Sequence, residues 1–282
     1  MTRKTAWLLA LVLAGAILAG RLVTTQPAAN FEVYAIRFAD VPYSVGSLVA
    51  GADRSRMIDI AFTMWVMKGA GRTVLLDAGF YRDKFMARWQ PQHYSRPSDA
   101  LKAGLGIDAA QVTDIVVSHS HWDHADGADL FPNATIWIQR EEYDHYVGPN
   151  GEVLHNGGAD ADDAKMFAAL KAAGRIKFVE GDAQQILPGL TAYTGGKHTF
   201  ASQYLGVQTR SGIVVLASDN AYLYENLERH LAIAQTLDAE SNLAAQARML
   251  KLAASPRFVI PGHDPAVFER FPTPGSGVAR IE

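Results

Sequence analysis

The sequence predicts an α/β fold, an αββα four-layer sandwich in which two β-sheets face each other and helices cover their outer sides. Two observations carry this. Short apolar runs rich in Val, Ile and Leu fall into two groups along the chain, and helical patterns lie between them. The length, 282 residues without internal repeat, charge run or low-complexity tract, also suits a single domain with one large core.

Extended segments are expected, in order, at Phe31–Phe38, Ile58–Met67, Thr73–Asp77, Asp114–Ser118, Thr135–Gln139, Ile176–Glu180, Leu190–Tyr193, Tyr204–Thr209, Ile213–Ala217 and Phe258–Pro261, where β-branched and aromatic residues concentrate. Helices are expected at Pro97–Leu105, Ala161–Ala173 and Leu237–Ala254, with shorter ones near Tyr81 and Arg140.

Residues 1–29 stand apart from the domain at 30–282. Met1-Thr2-Arg3-Lys4 is basic, Ala6 to Gly20 is an unbroken apolar run, and small residues from Ala19 to Ala29 offer cleavage points, which is a signal-peptide layout. Fifteen residues are short for a hydrocarbon layer of about 30 Å, so an N-terminal membrane anchor is the second reading. The expected location is periplasmic or secreted, with no stable membrane association after cleavage. The chain has no cysteine, so it needs no disulfides and offers neither a thiol nucleophile nor a thiolate ligand.

The chemistry concentrates in Ser118-His119-Ser120-His121-Trp122-Asp123-His124, directly after the apolar Asp114–Val117. Imidazole suits zinc and its first-row neighbours, and the carboxylate adds charge and a harder ligand. His119 and His121 are two apart, so an extended backbone points them to one side, where they can grip one ion. Asp123 and His124 are consecutive and share that direction only if the chain bends, which suggests a second ion beside the first. Three later residues also end extended runs. His198 follows the turn Thr194-Gly195-Gly196-Lys197, Asp219 follows Ile213–Ala217, and His263 follows Phe258–Gly262.

With these residues in view, the chain from about residue 31 onward resembles the metallo-β-lactamase superfamily, whose signature is His-x-His-x-Asp-His followed by a distant His, Asp and His. The resemblance implies that His119, His121 and His198 hold one divalent metal, that Asp123, His124 and His263 hold another, and that Asp219 bridges them. Zinc is the expected metal, with cobalt, manganese or iron as alternatives. Thr73–Gly79 resembles the family's early strand ending in Asp-x-Gly, which makes Asp77 either a residue that orients a ligand or a strand-end turn former. Two ions about 3.5–4 Å apart would lower the pKa of a shared water, supply hydroxide and polarise the bond attacked. The expected reaction is therefore hydrolysis.

Tyr222, three residues after Asp219, makes an Asp-x-x-Tyr arrangement similar to that of N-acyl homoserine lactone lactonases. It implies a phenol that donates to the oxyanion of an opening lactone, while Asp123 protonates the departing alkoxide. The plain alternative is a half-buried aromatic. Val41–Met57, with Tyr43, and Val147–Asp163, rich in glycine, are expected as loops walling the site, and Trp122 is expected beside the substrate; ordinary connections and packing are the bland readings. His93, His145, His155 and His230 lack ligand spacing.

Other branches fit less well. Glyoxalase II-like thiolesterases add a helical, basic C-terminal region, true β-lactamases generally lack a bridging aspartate, and the oxygen-reducing diiron members carry glutamate where this chain has His121. Lys plus Arg is 26 against 29 acidic residues, giving a net charge of −3 and a pI near 6.3, so nucleic acid is not an expected partner. Gly-x-Ser-x-Gly is absent. The expected substrate is a small lactone or ester. A phosphotriesterase or aryl-ester hydrolase is the alternative, and a non-catalytic metal-dependent ligand-binding protein is the alternative of another class.

Overall fold

A computed structural model describes residues 30–282; the expected signal segment lies outside the described residues. The first sheet begins as an antiparallel meander of β1 (Glu32–Ser44), β2 (Met57–Gly69) and β3 (Arg72–Leu76). After α1 (Asp83–Trp89) and α2 (Pro97–Leu105) comes β4 (Asp114–Val116), and after the helical turn α3 (Trp122–Ala125) comes β5 (Thr135–Gln139). Helices α4 (Arg140–Tyr146) and α5 (Ala161–Ala172) lead to β6 (Ile176–Val179). The second sheet follows with β7 (Gln184–Leu187), β8 (Leu190–Thr194), β9 (Gln203–Thr209) and β10 (Gly212–Ser218), then α6 (Tyr224–Glu228), α7 (Ala239–Leu252) and β11 (Val259–Pro261). The chain closes with α8 (Val267–Arg270) and β12 (Val278–Arg280), which returns to pair with β1.

The sheets have the orders β12-β1-β2-β3-β4-β5-β6 and β11-β10-β9-β8-β7. They form the two inner layers of an αββα sandwich. Strand alternation shows how the sequence builds them. On β2, Trp65 and Met67 join Val33, Val74, Leu76 and Val116 in a cluster with Leu190, Leu205 and Val215 of the second sheet. Met64 and Val66, one residue out of phase, join Ile36, Leu75 and Ile115 against Leu101, Tyr143 and Phe167 of the covering helices. Both faces of these strands are buried, which is why they read as continuous apolar runs.

Direction within the sheets positions the site. β3 and β4 are parallel, as are β10 and β11, and β8 runs the same way as β10 because β9 is antiparallel to both. The ends of β3, β4, β8, β10 and β11 therefore open on one edge of the sandwich.

Several elements differ from expectation. β1 runs on through Pro42 to Ser44, and β2 begins at Met57, so the connection is Val45–Arg56 and Tyr43 lies in a strand. Proline is tolerated because Asp40 already turns its N–H away from β2, to Gln92 O at 2.9 Å, and Pro42 faces the same open side. β7 and β12 were not expected. The first is a polar edge strand with Gln184 and Gln185 exposed, and the second has three residues beside a turn. The short helices α6 and α8 are also new. α7 starts at Ala239, where Asp238 caps it by accepting from Ser241 N at 3.1 Å.

Candidate metal centre

The bend that the motif requires is α3. His121 stands just before it in extended conformation, and the helical turn at Trp122 sends Asp123 and His124 away from His119 and His121. All seven candidate ligands meet at the shared edge and fall into two groups, each able to hold an ion: His119, His121, His198 and Asp219, and Asp123, His124 and His263. In the first, His121 Nδ1 lies 2.9 Å from His119 Nε2 and 3.0 Å from His198 Nε2. In the second, Asp123 Oδ2 lies 3.4 Å from His124 Nε2 and 3.8 Å from His263 Nε2. Asp219 stands between. Its Oδ2 is 3.2 Å from His198 Nε2, and its Oδ1 is 3.0 Å from His263 Nε2 and 3.3 Å from His124 Nε2.

The outward nitrogens are tied to the scaffold. His121 Nε2 donates to Gly157 O at 3.0 Å, His198 Nδ1 to Gln235 O at 2.8 Å, His263 Nδ1 to Ala61 O at 3.0 Å and His124 Nδ1 to Asp77 Oδ2 at 2.8 Å. None of these acceptors can donate, so each imidazole holds a proton on its outward nitrogen and presents the other nitrogen inward. His119 Nδ1 meets Ser118 Oγ at 2.8 Å. Asp77 accepts in addition from Ser118 N at 2.8 Å and from the hydroxyls of Ser118 and Ser218 at 2.9 Å. Both Asp77 (φ 63°) and Ser218 (φ 47°) are non-glycine residues in the left-handed region, a conformation their hydrogen bonds hold.

The donor set fits divalent metal. Inward lone pairs about 3 Å apart repel one another unless a cation lies between them. His124 Nε2 and Asp219 Oδ1 are buried without a hydrogen-bond partner among the described residues. Burial, then the neighbouring imidazoles, holds His119 well below the usual histidine range; burial and His198 bring His121 down to about 4, leaving both free to ligate. His124 is pushed well up: burial opposes this, but Asp219, Asp123 and Asp77 surround it and outweigh burial. These carboxylates thus call for positive charge, which a metal would supply.

Beside the two groups opens a cavity of about 280 Å³ lined by Tyr43, Leu48, Ile60, Phe62, Arg88, Trp89, Trp122, Tyr222 and Gln235 along with candidate ligands. Trp122 lines it while packed between Phe85 (4.6 Å) and Trp89 (5.3 Å). Tyr43 lines it from β1, 6.0 Å from Trp89. Tyr222 is buried, with its Oη 3.3 Å from His198 Nδ1. Val147–Asp163 supplies no lining residue, contrary to expectation; it closes on itself through a Val147–Val153 bridge, and its Gly157 O accepts from His121. His145 and His155 stack on each other at 4.1 Å, away from both groups. Sequence reasoning missed Ser218, Trp89, Gln235 and Glu142, because nothing local to them signals what the fold brings alongside.

The profile of the metallo-β-lactamase superfamily matches residues 63–263, more than half the chain and the whole candidate ligand set. The chain belongs to the metallo-β-lactamase superfamily. Within this superfamily it is 31% identical over 163 residues to the N-acyl homoserine lactonase of Bacillus thuringiensis, a stretch covering 57% of this chain and 59% of the relative. It is 26% identical over 176 residues to an N-acyl homoserine lactonase of Azorhizobium caulinodans, covering 59% and 64%. These alignments span less than two thirds of the curated relatives' length. Among solved structures, an N-acyl homoserine lactone hydrolase with N-hexanoyl-L-homoserine at its catalytic metal center superposes with a TM-score of 0.71 at 22% identity, covering 86% of this chain and 96% of that one. This likeness is one of metallo-β-lactamase fold.

Proposed function

We propose that the protein is a dinuclear metal-dependent hydrolase that opens a lactone of the N-acyl homoserine type, and that it works outside the cytoplasm after cleavage of an N-terminal signal peptide within residues 1–29. The observation that carries the lactone reading is Tyr222, whose buried phenol shares one apolar-walled cavity with both candidate metal groups. The names of the relatives support it. His119, His121 and His198 would hold one ion, Asp123, His124 and His263 the other, and Asp219 both; zinc suits this donor set. When bound, the ions supply an activated water and polarise the carbonyl.

The chain's own residues do the rest. Burial, then Asp219, Asp123 and Tyr43, pushes the Tyr222 phenol well up, so it stays protonated at neutral pH and can donate to the developing oxyanion. Asp123 lies below the usual carboxylate range: burial opposes this, but His124 and His263 outweigh it. Ionised at the cavity floor, it can take up the proton released on attack and deliver it to the departing alkoxide. Phe62, Trp89, Trp122 and Leu48 give the acyl part an apolar wall.

Tyr222→Phe tests this reading. One oxyanion donor is worth up to about 2.7–4 kcal/mol in other sites, so lactone turnover should fall about ten- to a thousandfold with metal content unchanged. A wild-type chain that opens no lactone faster than it cleaves phosphotriesters or aryl esters, or a phenylalanine variant indistinguishable from wild type, would defeat the lactonase reading and leave the metal-dependent hydrolase standing.

A further inference from the structure

Glu142, on α4, is fully buried, and its carboxylate is surrounded only by donors. Its Oε1 accepts from Ser120 N at 3.0 Å, Ser120 Oγ at 3.0 Å and Thr199 Oγ1 at 2.7 Å; its Oε2 accepts from Ala201 N at 2.7 Å. No lysine or arginine pairs with it among the described residues, so these four hydrogen bonds alone offset its burial. A carboxylate held this way would be expensive to keep for packing alone, since an apolar side chain would fill the space without desolvating a charge.

The donors matter for where they sit. Ser120 lies between His119 and His121, and Thr199 follows His198. One carboxylate therefore ties the turn after β4 to the turn after β8, which come from different sheets. Between these turns His121 and His198 meet at 3.0 Å. The second group is held by other atoms, His124 by Asp77 and His263 by Ala61 O. We propose that Glu142 is the positioning residue of the first metal group, setting the separation of His119 and His121 from His198 without touching an ion. This rests on the dinuclear reading above.

Glutamine cannot replace it. Each carboxylate oxygen faces a backbone N–H, Ser120 on one side and Ala201 on the other, so either orientation of the amide sets N–H against N–H. The test is a titration of the metal-free protein with Co²⁺ alone, followed by its absorption bands, in two backgrounds. His263→Ala leaves the first group to be read, and His198→Ala leaves the second. Loss of a group bonded directly to a ligand typically lowers metal affinity about 10- to 100-fold, and Glu142 bonds the chain neighbours of the ligands, so its loss should lower affinity toward the small end of that range, about tenfold. Glu142→Gln should do so in the His263→Ala background and leave the His198→Ala background unchanged. A folding defect would not make that distinction. If Glu142→Gln does not fold, Ser120→Ala with Thr199→Val removes only the two hydroxyl donors and should give a smaller shift with the same selectivity. Equal weakening in both backgrounds, or none in either, overturns the positioning role. A chain with native ligands that takes up no Co²⁺ overturns the dinuclear reading instead, and the proposal with it.

Discussion

Asp77 marks the limit of what a residue discloses in sequence. At the end of an apolar strand it reads equally as a turn former or as the orienter of a ligand, and the structure shows both the turn and a carboxylate bonded to the candidate ligand His124. Its φ of 63° turns the chain, and its carboxylate collects Ser118 after β4, His124 of α3 and Ser218 at the end of β10, a hundred residues beyond Ser118. Only the topology brings them there. Asp77→Asn should therefore lower metal affinity about 10- to 100-fold, measured by chelator competition, because the amide would turn N–H toward groups that donate. Asp219 makes a complementary prediction. One of its oxygens faces each group, so Asp219→Ala should weaken both, and elemental analysis should show metal lost from two sites rather than one. Gly262 is fixed by contact: a Cβ there would lie 2.8 Å from the Ser218 carbonyl and 3.0 Å from Asp219 Oδ1. His119, His121 and His124, by contrast, stand out in the sequence itself, because few other reasons place imidazoles at that spacing, whereas His198 and His263 gain meaning only from the set they complete.

Among the elements, strands buried on both faces were plain in the sequence, since burial demands an apolar run. Those missed, β7 and β12, are short edge strands whose pairing comes from a neighbour rather than from their own pattern. The bend at α3 could be required but not drawn. Downstream of it, Asp126 accepts from Tyr81 N at 2.7 Å and Arg82 N at 3.1 Å, and pairs with the Arg82 guanidinium, which also reaches Asp163 of α5 at 3.1 Å. Burial, then the Asp126 carboxylate beside it, pushes Asp163 up to about 9. Between the ordinary carboxylate range and pH 9 the folded chain thus keeps a proton that the unfolded chain has lost, and stability must fall as pH rises through that window. Asparagine imitates the protonated carboxyl. Thermal melts from pH 5 to 9 should show a shallower decline for Asp163→Asn than for wild type, and parallel profiles would rule out the buried proton.

On the scale of the whole molecule, the candidate metal centre is a seam. His119 and His121 follow a strand of the first sheet, His198, Asp219 and His263 follow strands of the second, and their side chains come together at one edge of the sandwich. The hydrophobic layer between the sheets holds the rest of that interface without help, so the chain should stay folded when metal is withdrawn. What it loses is linkage. Ions that bind only the folded chain stabilise it by RT ln(1 + [M]/Kd), about 2.7 kcal/mol for one site at a hundredfold excess over Kd. A domain of this size shifts its melting temperature by about 2–4 °C per kcal/mol. Removing one ion at that excess should therefore lower the midpoint by about 5–10 °C, and on the dinuclear reading a second would add to this. Asp123, Asp219 and Asp77 would then have only the imidazoles to offset them, so the loss of hydrogen-exchange protection should concentrate at the ends of β4, β8, β10 and β11, with the middle of β2 unchanged. Melting and exchange with chelator, followed by zinc repletion, measure both. A midpoint unmoved by chelation that demonstrably strips the metal would mean that the ions join nothing the sheets do not already hold.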